Sequence, residues 1–500
     1  MATASNAAGK QTFAQTKNFL GHPIGLSFLF TTEMWERFSY YGMRAILVLY
    51  LTHYLFDPTN IGHVWGYETI RNILQSMFGT LDANPPQGAA GEPVIYGQQF
   101  SSLVYGFYTG FVYLTPLFGG WLADRIIGQR NAVIIGAILM AVGEFMLTRD
   151  ALFFPGLLML ILGNGAFKPN ISTQVGSLYQ PGDSRIDRAF SIFYVGINVG
   201  AFFSPLICGT LGEKMCTVWA TDTCRQLGET AGWHFGFFAA GVGMVVGLLI
   251  YLLAVRTLPP DNLAKAKAAK TEKKKLTSED WKAVISLCLL FIPVIFFWAT
   301  YEQQGNTINL WADQFTDRRL IPGVWDLEIP VTWFQAFNPF IIFAFTPFIV
   351  ALWAKQSKKG TEPSTVAKMA IGCLLCGLSY VVLAGGAYLA GPTGHASWLW
   401  LLVYFVILTT GELYLSPIGL SLVARVAPVQ IVSMMMGVWF ITSFAGNLLQ
   451  GYLGSFWSVM DKGSFFLMIA AIVSAAGLVV ALFIKPLKPI LEGKMKTKPA

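Results

Sequence analysis

Twelve stretches of this chain are each about twenty or more residues long and dominated by apolar side chains. A membrane-crossing helix needs about 20 such residues. The segments run over 22–53, 98–123, 131–149, 153–178, 188–210, 233–255, 281–311, 331–354, 365–390, 397–424, 432–457 and 463–485. Lipid offers no partner to a bare N–H or C=O, so segments of this length are expected as helices. Charged residues make up 12% of the 500-residue chain and apolar ones 54%. A soluble protein carries about 25% charged residues to cover its surface. The segment 153–178 is the least regular, because GNGAFKPN interrupts it.

Lysine and arginine placement sets orientation. With the N-terminus in the cytoplasm, the inner segments hold 24 Lys/Arg and the outer ones 7. Both termini are then cytoplasmic. The polar first 21 residues precede an apolar run too long for a cleaved signal, so the first helix is expected to remain. A charged linker, RTLPPDNLAKAKAAKTEKKKLTSED (256–280), separates residues 22–255 from 281–485. The expectation is two six-helix bundles around a central path, with a cytoplasmic tail over 486–500. The outer segment 54–97 should cover the outer surface.

The first apolar segment contains TEMWERFSYYGMR (32–44), with Glu33, Glu36, Arg37 and Arg44 inside it. A buried charge costs about 2.5–3.5 kcal/mol at the bilayer centre. Helical spacing puts Glu33, Glu36, Arg37, Tyr41 and Arg44 on one polar stripe. Two acids beside one base need another cation or a proton. Lys168, Glu302 and Glu412 add charges in other apolar segments, and Tyr105, Asn198 and Asn338 add polar groups. Any single amide or tyrosine is well explained as helix–helix glue. Seven charges on four helices exceed what static pinning needs. His22, His53, His63, His234 and His395 all fall at helix ends or in loops, so a proton relay is expected to use carboxylates. Glu144 and Asp124, near helix ends, are expected at the interface.

Other chemistry finds little support. No Cys/His array has metal-ligand spacing, and no cofactor besides the coupling proton is expected. Cys216 and Cys224 share a polar loop and would pair only if it faces an oxidising compartment. GVGMVVG (241–247) lies inside a helix and follows no strand, so it reads as close helix packing. No nucleophile–base constellation is visible, and the basic loops follow topology rather than nucleic acid.

With these residues in view, the chain resembles the proton-dependent oligopeptide transporters of the major facilitator superfamily, as a bacterial member. The resemblance rests on the ExxER stretch Glu33-Met34-Trp35-Glu36-Arg37 with its aromatic tail, and on Phe193-Tyr194-Val195-Gly196-Ile197-Asn198-Val199-Gly200. The looser GGWLADRIIGQR (119–130) matches a superfamily loop. The family implies an all-α membrane fold and import of di- and tripeptides with protons across the bacterial inner membrane. It assigns proton coupling to Glu33, Glu36, Arg37 and Glu302. It assigns gating salt bridges to Arg44 with Glu302 and Lys168 with Glu412. Its substrate pocket corresponds to Arg37, Tyr41, Arg44, Tyr105, Lys168, Asn198, Trp298, Asn338, Glu412, Trp439 and Ser443. A monomer is expected. Two features depart from parts of the family: 256–280 is too short for the two extra helices of many bacterial members, and Gly106 stands where animal relatives have a histidine after the tyrosine. Alternatives at this point are another solute, such as nitrate or an amino acid, on the same fold, and a peptide-binding sensor that moves nothing.

Overall fold

A computed structural model describes residues 18–79, 95–180, 183–218, 232–259, 276–391, 394–428 and 431–485. Cys224, most of the charged linker and the tail lie outside these residues. Every one of the apolar segments is helical. The helices are α1 (Gly25–Tyr50), α2 (Tyr67–Phe78), α3 (Gln98–Leu122), α4 (Gln129–Leu147), α5 (Phe153–Ser177), α6 (Ile186–Val218) and α7 (Gly232–Ala254). They continue as α8 (Ser278–Tyr301), α9 (Thr307–Gln314), α10 (Phe337–Lys358), α11 (Thr365–Ala390), α12 (Leu399–Val426), α13 (Val432–Gly454) and α14 (Lys462–Leu482). Among the described residues, nine spans are long and apolar enough to cross a membrane. Large apolar side chains such as Leu253, Phe348 and Leu482 stand exposed on their outer faces, as lipid-facing positions do. This is a multi-pass membrane protein.

The chain forms two compact units. One holds residues 1–46, 63–65 and 114–270, and the other holds 47–62, 66–113 and 271–500. In the first unit α4 packs along α5 and α7, and α6 lies against α7. In the second, α11 packs between α12 and α14, and α8 lies against α13.

The irregular sequence GNGAFKPN does not end a helix; α5 runs through it with Pro169 inside. Proline has no N–H, so the carbonyl four residues back loses its helical partner. That carbonyl belongs to Gly165, and α3 approaches it closely at Gly119: a Cβ there would stand 2.0 Å from the Gly165 oxygen. Only two glycines allow these backbones to meet. Thr115 Oγ1 secures the same contact by donating to the Ile161 carbonyl at 2.9 Å.

The apolar segment 281–311 is not one continuous helix. Thr277 and Asp280 form a capping box at the start of α8, which satisfies its first free N–H groups. The helix stops at Tyr301, tightens into a 3-10 turn over Glu302–Gly305 and resumes as α9. The polar side chains of the break find partners within their unit. Gln303 Nε2 donates to the Gln450 carbonyl at 3.0 Å, and Ser102 Oγ donates to Asn306 Oδ1 at 3.0 Å. An interrupted helix at membrane depth is tolerated where protein satisfies it, and such breaks often build transport sites.

Candidate functional site

In the first unit the stripe on α1 closes around one guanidinium. Arg37 holds Glu36 with two donors: Nε to Oε2, and Nη2 to Oε1 at 2.7 Å. Arg37 Nε also stands 3.2 Å from Glu33 Oε1. All three side chains are buried. Asn164 on α5 donates from Nδ2 to Glu36 Oε1 at 3.2 Å. Glu36 is thus paired at both oxygens, whereas Glu33 Oε2 is buried with no hydrogen-bond partner among the described residues. Lys168 lies four residues beyond Asn164, on the same face of α5, and its charge acts on Glu33. The helix spacing therefore brings Glu33, Glu36, Arg37 and Lys168 into one electrostatic cluster. Tyr40 lies under the Arg37 guanidinium, 5.2 Å from it, and its ring packs edge-on against Tyr41. Arg44 is buried two turns further along α1.

The second sequence signature explains itself sterically. A Cβ on Gly200 would stand 2.2 Å from the Met34 carbonyl and 3.0 Å from Arg37 Cβ. Gly200 is what lets α6 lie directly on the acid–base stretch of α1. The neighbouring Asn198 is buried and spends its Nδ2 on the Tyr194 carbonyl of its own helix at 3.0 Å. Replacing Gly200 with valine is expected to push α6 off Arg37, at about 1–3 kcal/mol for overpacking. A lowered melting temperature in detergent, together with lost uptake, is the expected result. A variant as stable as the parent would refute the contact.

In the second unit Glu302 is buried at the first position of the 3-10 turn. The preceding Tyr301 is set against Glu412, Glu302 and Gln304. Asn338 Nδ2 donates to Glu412 Oε2 at 2.9 Å and to Thr409 Oγ1 at 3.0 Å. Three helices, α8, α10 and α12, thus converge on one carboxylate. Trp298, Trp439, Ser443 and Tyr105 are all buried in this unit. Trp439 packs edge-on against Phe291, and Trp298 against Tyr301. A Cβ on Gly106 would stand 2.6 Å from the Asn447 carbonyl, so a histidine has no room after Tyr105.

Sequence reasoning missed Asn164, Tyr301, Thr409 and Ser39, and misplaced Glu144. Asn164 is legible as a polar residue one turn from Lys168, but the glycines around it mask it. Asp124 is exposed, as expected of an interfacial group. Glu144 is not: it is buried against Ser39. Among the described residues, no group of three or more His, Cys, Asp or Glu could hold a metal ion.

The sequence profile of the POT family matches residues 130–265 and 260–468. The chain belongs to the POT family. A peptide transporter of Yersinia enterocolitica, YePEPT, is 32% identical over 91% of this chain and 90% of its own length. A di-/tripeptide transporter of Lactococcus lactis subsp. cremoris is 30% identical over 95% of this chain and 98% of its own. The crystal structure of a peptide transporter POT in complex with sulfate superposes with a TM-score of 0.75 at 28% identity, over 96% of this chain and 99% of that one. A mutant POT in complex with alafosfalin gives a TM-score of 0.76 at 29% identity, with the same coverage. The ExxER motif of this POT member lies in its buried acid–base cluster, and Gly200 of the second motif packs against that stretch.

Proposed function

We propose that this POT family member is a proton-coupled symporter that brings di- and tripeptides into the cell by alternating access. The reading rests on opposite recognition chemistries, one in each compact unit, in a member of the POT family. Arg37, Arg44 and Lys168 supply cations for a peptide carboxylate. Glu412, oriented by Asn338, supplies an anion for a peptide amino group. The aromatic side chains Tyr41, Tyr105, Trp298 and Trp439, with Asn198 and Ser443, give variable side chains roomy apolar surroundings.

Protons enter through the carboxylates. Glu33 and Glu36 share Arg37, and Lys168 also acts on Glu33, so a proton on Glu33 loosens its hold on both cations. In the family scheme, protonation of Glu302 releases Arg44, and the bound peptide competes for Lys168 and Glu412. The halves then rock and release their load inside. Twelve spans place both termini in the cytoplasm of a bacterium, with the protein working as a monomer in the inner membrane. The functional halves are residues 22–255 and 281–485, joined by the linker 256–280. They are set by chain order and loop charge, and share most but not all of their residues with the two compact units. The protein transforms no substrate, and its coupling ion is the proton.

Uptake into liposomes tests this reading. Labelled di- and tripeptides are expected to accumulate only under an inward proton gradient, and nitrate or free amino acids are expected not to compete. Uptake indifferent to the gradient, or displaced by nitrate, would overturn it.

A further inference from the structure

Behind the acid–base stripe of α1 lies a third carboxyl group that the mechanism above does not use. Glu144, on α4, is 1% exposed. Its Oε1 accepts a hydrogen bond from Ser39 Oγ at 3.2 Å. Its Oε2 is buried without a hydrogen-bond partner among the described residues. Ser39 is three residues beyond Glu36 on α1, hence on the same side of that helix. Among the described residues, the following neighbours of Glu144 carry no positive charge. From α1 come the Ser39 hydroxyl and the field of the Glu36 carboxylate. From α6 comes the Cys208 thiol, close enough to feel the Glu144 charge. From α7 comes Gly241, whose missing Cβ would stand 3.2 Å from Glu144 Cβ. No ion pair to Glu144 occurs among the described residues, where Arg37 is engaged by Glu33 and Glu36.

A carboxylate desolvated in this way is costly unless paired, and burial beside a like charge adds to the cost. A single hydroxyl offsets part of it and holds whichever form is present. That hydroxyl belongs to the helix carrying Glu33, Glu36 and Arg37, so Glu144 is held by the same element as the acid–base stripe. We propose that Glu144 is a further proton-carrying residue of this transporter, whose charge acts on the Glu33–Glu36 pair. In the proton-loaded form the Glu144 O–H bond is intact. On release that bond breaks, the proton passes to water, and the carboxylate left behind keeps the Ser39 hydroxyl as donor. The ionised Glu144 then repels the nearby Glu36 carboxylate as a like charge. The inference rests on the proton-coupled reading above, and goes beyond it in naming a carboxyl outside the ExxER stretch.

Glu144→Gln fixes the neutral form. Without the repelling charge, the Glu33–Glu36 pair loses its proton at lower pH. The alkaline limb of driven uptake is therefore expected to move about one pH unit toward acid, a roughly tenfold loss of rate on that limb. Peptide counterflow should stay at the parent level. An unchanged pH profile, or equal loss of driven uptake and counterflow, would overturn the proposal. Ser39→Ala leaves the carboxyl but removes the donor to its anion, and is expected to shift the profile in the same direction; no shift there would also count against it. Infrared difference spectra of the purified protein between low and high pH give a readout independent of transport. The parent should lose a protonated-carboxyl band on alkalinisation that Glu144→Gln lacks. An identical band in both proteins refutes the assignment. If the parent moves no peptide at all, the transport reading fails while this band still decides Glu144.

Discussion

Glu302→Gln is expected to abolish gradient-driven peptide accumulation while leaving peptide counterflow intact. Glutamine has nearly the shape of a protonated glutamic acid, so it mimics the loaded state without being able to discharge. Glu302 is buried at the break between α8 and α9, where a helix can flex without tearing its hydrogen-bond ladder. One proton moving down a unit of pH and 100 mV supplies about 3.7 kcal/mol, enough for roughly several hundred-fold accumulation. The variant should equilibrate peptide near a ratio of about one. Counterflow needs only binding and rocking, and the proposed amino-end contact at Glu412, oriented by Asn338, is left in place. Wild-type accumulation by Glu302→Gln would remove Glu302 from the coupling scheme.

Arg37→Ala should be the most damaging substitution in the first unit. It leaves two buried carboxylates, Glu33 and Glu36, that share this guanidinium. Breaking a buried pair in this way costs about 3–5 kcal/mol, a large share of the stability of any domain. The expected outcome is poor yield and a melting temperature lowered by many degrees. Arg37→Lys separates charge from geometry. It keeps one positive charge but cannot make the two-donor contact with Glu36, so it should fold while losing most driven uptake. If Arg37→Ala melted like the parent, the two acids would have to be neutral already, and the coupling scheme would need another site.

The helices and the stripe on α1 are legible in the amino-acid sequence alone. Lipid forces each span to satisfy its own backbone, so a run of apolar residues is itself a statement of local structure. Charges in such a run are conspicuous because they are costly, and a period of 3.6 tells which of them share a face. That logic finds Glu33, Glu36 and Arg37 on one face and singles out Lys168, Glu302 and Glu412. It fails where the helix itself changes. The break at Glu302–Gly305 obeys partners on other helices, Gln450 and Ser102, rather than local propensity. It also misplaces Glu144, because closeness to a helix end says nothing about what covers that end.

Helicity and the positions of charge follow from interactions within a few residues, so the order of amino acids dictates them. Partners across the fold do not follow in this way. Asn164 meets Glu36 across 128 residues, Glu144 meets Ser39 across 105, and Glu412 meets Asn338 across 74. Which helix faces meet is a property of the whole packing, settled by close backbone approaches such as Gly200 on Met34. No local pattern encodes it.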